Sequence, residues 1–181
     1  MSNRTNALPV RIELWTESDL DLLRQVNAPE MTEHLGGAET DQKLQTRHRH
    51  YLAINEAGTG RMFRVISNVD QTAVGTVGYW ERVWNEEDAY EMGWAVLPPY
   101  QGKGVGSAAA RAAIAQARSE QKRKYMYAFP SVDNLASNAI CQQLGFTWMG
   151  EREFEYPKGN FMRCNEWRFD LLTETECPAH D

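Results

Sequence analysis

The stretch PPYQGKGVGSAAARAA, residues 98–113, places glycines at positions 102, 104 and 106 between an apolar run and an alanine-rich one. Its reading decides the fold. Glycines ahead of a helix let several main-chain N–H groups converge at the positive end of the helix dipole, where an anion is favoured. They serve equally well in a turn that needs positive φ. The stretch alone leaves both readings open, although spacing excludes two familiar loops. A P-loop sets its lysine directly before Ser or Thr, whereas GKGVGS separates Lys103 from Ser107 by three residues. A dinucleotide fingerprint needs G-x-G-x-x-G, and these glycines alternate strictly.

Upstream, AYEMGWAVL reads as a strand that Pro98 and Pro99 bring to a stop. Downstream, SAAARAAIAQARSEQKRK carries a stripe of small apolar residues at Ala110, Ala113, Ile114 and Ala117, so the helix can lie unusually close to a sheet. KYMYAF then reads as the next strand, giving a strand-helix-strand unit with parallel strands and a right-handed crossover.

Further out, VRIELW alternates like a strand, and TESD offers Thr16 or Ser18 as the cap of a helix running to about Asn27. APEMTEHLGG reads as a loop. The following helix brings Leu44, His48, Tyr51 or Leu52 and Ile54 to one face and ends at Gly58. RMFRVIS and TAVGTVGYWERVW read as an antiparallel hairpin, with NEEDA turning into the strand before the prolines. On the C-terminal side, DNLASNAICQQLGF reads as a short helix capped by Asp133 or Asn134 and ended by Gly145. FTWMGEREFE and FMRCNEWRFDLL read as strands around the turn YPKGN. The division expected is one domain over residues 1–172 with an acidic, frayed tail over 173–181.

With 181 residues and a formal net charge of -6, the chain can bury a core without staples and is poorly suited to nonspecific nucleic-acid binding. Cationic small molecules or basic peptides suit it better. Against that background Lys103, Arg111, Arg118, Lys122, Arg123 and Lys124 form a basic stretch, either a solvated helix end or a counter-charge for a phosphate-bearing ligand. Cys141, Cys164 and Cys177 have no metal-like spacing and leave one unpaired in any disulfide scheme, so free thiols in a reducing compartment are expected. His34, His48 and His50 lack ligand partners, and no metal is expected. The N-terminus lacks a signal-peptide core and no apolar run reaches a membrane span, so a cytoplasmic protein with no membrane partner is expected.

Taken together, the order of elements, QGKGVG and DNLASNAICQQLGF resemble the GNAT superfamily of acyl-CoA N-acyltransferases along nearly the whole chain. The loop fits that family's Q/R-x-x-G-x-G/A pattern at Gln101, Gly104 and Gly106, and the segment ending in Gly145 and Phe146 fits its second motif. DN..SN, GF and EFEYPKGNF are similar to the branch that includes the alanine and serine acetyltransferases of ribosomal-protein N-termini. The resemblance implies an α/β (α+β) domain: a mixed, mostly antiparallel sheet of about seven strands with about four helices, whose parallel fourth and fifth strands splay apart. Acetyl-CoA is implied as co-substrate, wedged into the splay. The backbone of Gly102, Lys103, Gly104, Val105, Gly106 and Ser107, next to Gln101, would take the pyrophosphate. Main-chain groups around Trp94 and Val96 would pair with the pantetheine arm and polarise the thioester carbonyl, with Asn134 as a side-chain contact. Lys103, Arg111 and the cations at 122–124 would face the 3′-phosphate.

An alkylamine with a pKa of about 10 is mostly protonated at neutral pH, so acetyl transfer benefits from a base, an oxyanion site and a proton for the departing thiolate. Glu155 matches a glutamate proposed as base in the resembling branch and ranks slightly ahead of Glu91, whose position acts through water in other branches unless a strand bulge rotates it away. Many members donate the thiolate's proton from a tyrosine where this chain has Cys141. Ser137, where the branch has a serine near the CoA sulfur, is therefore the leading donor, unless it only caps its helix. Tyr79, Trp80 and Trp84, with Glu81 and the acidic run 86–88, offer an aromatic acidic wall for a cation or simply a folded hairpin. The function expected is acetyl transfer, by direct attack in a ternary complex, to a primary amine of a small molecule or a protein N-terminus. The protein would act as a monomer or homodimer. A GNAT-shaped acyl-CoA sensor is the alternative, motivated by the missing tyrosine.

Overall fold

The computed structural model describes residues 7–155 and 158–173, so the tail beyond Thr173, with Cys177, lies outside the described residues. Seven strands form one sheet in the order β1-β2-β3-β4-β5-β7-β6. They are β1 (Val10–Leu14), β2 (Gly60–Ser67), β3 (Ala73–Trp84), β4 (Glu87–Val96), β5 (Tyr125–Ala128), β6 (Thr147–Glu155) and β7 (Phe161–Asp170). All neighbours are antiparallel except β4 and β5. The expected hairpin of β2 and β3 is present, as is the parallel pair around a crossover helix. Between β3 and β4 the turn is tighter than NEEDA suggests. Asn85 and Glu86 both take positive φ, 50° and 65°, as a two-residue hairpin loop demands, so the strand resumes at Glu87 rather than Ala89.

Strand alternation divides the side chains between two layers. One face carries Tyr79, Tyr90, Met92, Met126 and Phe169 against α4 (Val105–Glu120), whose Ala109, Ala110, Ala113 and Ala117 are buried. The other carries Met62 and Trp80 against α1 (Leu20–Val26) and α3 (Asp41–Ala57), through Leu22, Leu23, Leu44 and Ile54. The alanine stripe therefore does what its spacing predicts. Tyr79 and Trp80, being neighbours on a strand, point to opposite layers, so the three hairpin aromatics do not form a single wall.

At the first helix, Asp19 closes a capping box with Thr16, accepting from its N–H at 2.7 Å. The segment read as a loop contains a short helix, α2 (Pro29–Thr32), and a 3-10 turn (Glu33–Leu35), since proline at the first helical position is already set for helical φ. Thr40 caps α3, which ends at Gly58 with φ 71°. Inside that layer His48 is a packing residue, its Nδ1 accepting from Trp15 Nε1 at 3.0 Å. No helix among the described residues is long and apolar enough to cross a membrane.

On the α4 side lies α5 (Leu135–Gln143), capped by Asn134, whose Oδ1 accepts from the Ser137 N–H at 3.1 Å. One asparagine anchors it. Asn138 donates through Nδ2 to the carbonyls of Ser131 and Asn134, at 3.0 and 2.8 Å, and accepts at Oδ1 from Asn165 and Trp167 of β7, both at 2.9 Å. Its hydrogen-bonding capacity is fully used. Asn138→Ala strands several polar partners and should cost about 2 kcal/mol. In a chain of this size that lowers Tm by about 4–8 °C, which a thermal melt checks.

Cys141 faces the core and is fully buried, and burial pushes its thiol up to about 12. Burial and the nearby Glu91 charge raise that of Cys164 as well. Alkylation of the native protein at pH 9, read by peptide mapping, should therefore leave both unmodified, while unfolding should expose both. Because the folded chain retains the Cys141 proton from pH 9.0 to about 12 while the unfolded chain releases it, this group lowers stability as pH rises through that range.

Candidate active site

The parallel ladder between β4 and β5 is two residue pairs long: Tyr90 with Met126, and Glu91 with Tyr127. Beyond Ala128 the fifth strand ends, while β4 continues to Val96 in unbroken register with β3. That register fixes where the β4 backbone points. Leu97 N–H donates to the Val74 carbonyl at 2.9 Å, so odd-numbered residues of β4 exchange hydrogen bonds with β3. The N–H and C=O groups of Trp94 and Val96 therefore face the opening that β5 has left. One of them is occupied: Gln101 Nε2 donates to the Val96 carbonyl at 2.9 Å.

The glycine loop closes one end of this opening, and its glycines serve two needs. Gly102 and Gly104 have φ of 72° and 74°, the left-handed region. At Gly106 the need is space, because a Cβ there would lie 2.7 Å from Ile140 Cδ1 of α5 and 3.6 Å from Val96 Cγ2. The first helical hydrogen bond of α4 is from Ala108 to the Gly104 carbonyl, at 3.1 Å. None of the N–H groups of residues 102–107 donates to any of the described residues. They form an unbroken run of donors at the positive end of α4, which fits a pyrophosphate. Ser107 contributes backbone only, since its Oγ is 3.1 Å from Gln143 Oε1. The loop is held from behind by the Leu8 N–H, which donates to the Lys103 carbonyl at 3.0 Å.

Lys103 lies in this run and Arg111 about 9 Å along α4, both exposed. The cations at 122–124 are much farther away. They follow the last turn of α4, a helix of 16 residues and about 24 Å, so they sit at its far end. There Lys122 Nζ donates to the Gly58 carbonyl at 3.1 Å and Arg123 pairs with Glu81 at 2.6 Å. They serve the fold instead of a phosphate at the loop.

Ser137, in the first turn of α5, is half-buried, and its Oγ makes no hydrogen bond among the described residues. Asn134 uses Oδ1 for the cap, which leaves its Nδ2 as a donor. The two glutamates part company. Glu91 stands on the last parallel rung, on the face away from α4, and the continuous β3–β4 register shows no bulge to turn it aside. Glu155 ends β6, an edge strand of the sheet, and is exposed, accepting at 2.7 Å from the Gly159 N–H across its own hairpin. Arg82 and Glu166 carried no signal in sequence, Arg82 because its place beside Glu91 depends on the β3–β4 register and Glu166 because its partners come from strands far apart in the chain. Arg82 of β3 pairs with Glu91. Glu166 of β7, 1% exposed, accepts from Trp84 Nε1 at 2.9 Å and from Arg152 Nε at 2.7 Å. Among the described residues no group of three or more His, Cys, Asp or Glu is arranged to hold a metal.

Residues 10–147 match the family described as Acetyltransferase (GNAT) domain. An uncharacterized N-acetyltransferase of Bacillus subtilis (strain 168), YnaD, is 27% identical over 120 residues, 66% of this chain and 69% of that protein. Similar solved structures include an acetyltransferase of Salmonella typhimurium that modifies the N-terminal serine of ribosomal protein L7/L12, at 19% identity and a TM-score of 0.75 over 89% of this chain and 94% of that one. A putative acetyltransferase of the same organism, solved with acetyl-CoA, has 21% identity and a TM-score of 0.72, covering 92% and 96%. The ribosomal-protein-S5-alanine acetyltransferase of Vibrio fischeri has 17% identity and a TM-score of 0.74, covering 90% and 93%. At these identities the structures speak for the fold, and the family match spans most of the chain. With a splayed parallel pair, a run of free donors at the mouth of α4 and that match, the chain belongs to the GNAT acetyltransferase family.

Proposed function

We propose that the protein is an acetyl-CoA-dependent N-acetyltransferase that acetylates a primary amine, on a small molecule or a protein N-terminus, by direct attack in a ternary complex. The observation that carries this is the meeting of a run of backbone donors without partners among the described residues and a strand edge that β5 leaves open, with Gln101 on one of its carbonyls. The donors of residues 102–107 end at the same opening onto which the main chain of Trp94 and Val96 faces. A ligand with a pyrophosphate at one end and an amide-bearing arm at the other finds partners along its whole length. The co-substrate supplies an activated thioester, and everything else is asked of the chain.

The cradle at 102–107, Lys103 included, holds the anionic end, with Arg111 farther along α4. The Trp94 and Val96 backbone lines the arm and offers N–H to the thioester carbonyl, where negative charge develops during attack. Asn134 Nδ2 adds a donor from the α5 side. Ser137 Oγ, without a hydrogen bond among the described residues, donates to the departing sulfur. Glu91 receives the amine proton, directly or through water, from the last rung before the opening. Glu155 is the secondary candidate, because its carboxylate closes a hairpin turn. The descriptions of the Salmonella and Vibrio neighbours favour a protein N-terminus as acceptor. A single domain over 1–172 acting in the cytoplasm completes the reading.

The test is thiol release from acetyl-CoA with a panel of small amines and of peptides with free N-terminal Ser or Ala. Release that requires an acceptor is expected. Acetyl-CoA that raises Tm without any acceptor releasing thiol would make the protein a sensor, and no change in Tm would sink the cradle. Ser137→Ala and Glu91→Gln should each lower kcat, the latter by about 100-fold, with KM for acetyl-CoA nearly unchanged. Glu155→Gln should have the smaller effect. Gly104→Val, strained at positive φ by about 1–2 kcal/mol, should instead raise KM for acetyl-CoA by roughly 10-fold.

A further inference from the structure

We propose that Arg82 is a positioning residue for acetyl transfer, acting through Glu91. This rests on the acetyltransferase reading above. Arg82 stands opposite Ala89 in the β3–β4 register, on the same face as Glu91 two residues along, and its Nη1 donates to Glu91 Oε2. Glu91 Oε1 makes no hydrogen bond among the described residues, so one carboxylate oxygen is fixed and the other remains for the reaction.

What makes this more than a surface ion pair is the seat of the guanidinium. Its Cζ lies 4.9 Å from the Trp84 ring centroid, 4.8 Å from that of Phe129 and 5.5 Å from that of Phe154. The rings pack on one another, with Phe129 at 4.9 Å from Trp84 and 5.0 Å from Phe154. Trp84 belongs to β3, Phe129 directly follows β5 and Phe154 belongs to β6, so the seat is assembled from both sides of the parting. Trp84 is itself fastened by the buried Glu166. Only a planar cation can stack on such rings while forking toward a carboxylate, and lysine cannot do both. Arg82 thereby ties the orientation of Glu91 to the geometry of the splay.

The experiment is a double-mutant cycle on kcat, using the acceptor that gives the most thiol release, with Arg82→Ala, Glu91→Gln and the double variant. Arg82→Ala should lower kcat by roughly 10-fold or more, leave KM for acetyl-CoA unchanged and add little in the Glu91→Gln background. Millimolar guanidinium chloride should restore part of the Arg82→Ala loss by refilling the seat, while equal sodium chloride should not. Should Arg82→Ala fail to fold, Arg82→Lys carries the same cycle. Effects of the two substitutions that multiply, or a loss that guanidinium leaves untouched, overturn the role of Arg82 alone. A wild-type protein that transfers no acetyl group overturns the function as well.

Discussion

Two rungs of parallel pairing, at Tyr90 and Glu91, are all the main-chain bonding that joins β4 to β5, and every feature of the site depends on their stopping there. On one side, β3 holds β4 along its whole length, from Glu87 to Val96. On the other, β5 is bound to β7 through all four of its residues and leaves with it. Had the ladder run on, the Trp94 and Val96 backbone would be satisfied by protein and nothing could enter. An unpaired buried main-chain group costs about 1–3 kcal/mol, so such an edge is tolerable only where solvent or a ligand reaches it. The alanines of α4 complete the arrangement by letting the helix lie close to the sheet, which brings its N-terminus to the same opening.

Much of this was legible in sequence, and the reasons differ by element. Ala110, Ala113, Ile114 and Ala117 announce a helix packed tightly on a sheet, and burial follows. Gly102, Gly104 and Gly106 announce an unusual loop but not its purpose, because a left-handed residue and a close approach are written with the same letter. The misreadings share a cause. Grouping Lys122, Arg123 and Lys124 with the loop ignores the length of the helix between them. Grouping Tyr79 with Trp80 ignores the two-residue period of a strand. The relation of Arg82 to Phe129 and Phe154 lies deeper, since it depends on three-dimensional strand order, which no local pattern encodes.

The charges of the cleft are more evenly paired than the acidic composition suggests. Near the parting, Glu91 is matched by Arg82 and Glu166 by Arg152, so each carboxylate arrives with its own cation. At the loop, Lys103 carries a charge with no ion-pair partner among the described residues and adds to the helix dipole, with Arg111 exposed farther along α4. A chain of net charge -6 thus presents a locally positive mouth to an anionic ligand and a balanced interior to the reacting groups.

The hydrogen bond from Leu8 to the Lys103 carbonyl has a practical side for anyone handling the protein. Ala7 lies against the loop as well, its Cβ 3.8 Å from where a side chain at Gly104 would begin. A protein shortened past Leu8 loses both of these contacts behind the glycine loop, so affinity measurements belong on protein that retains them.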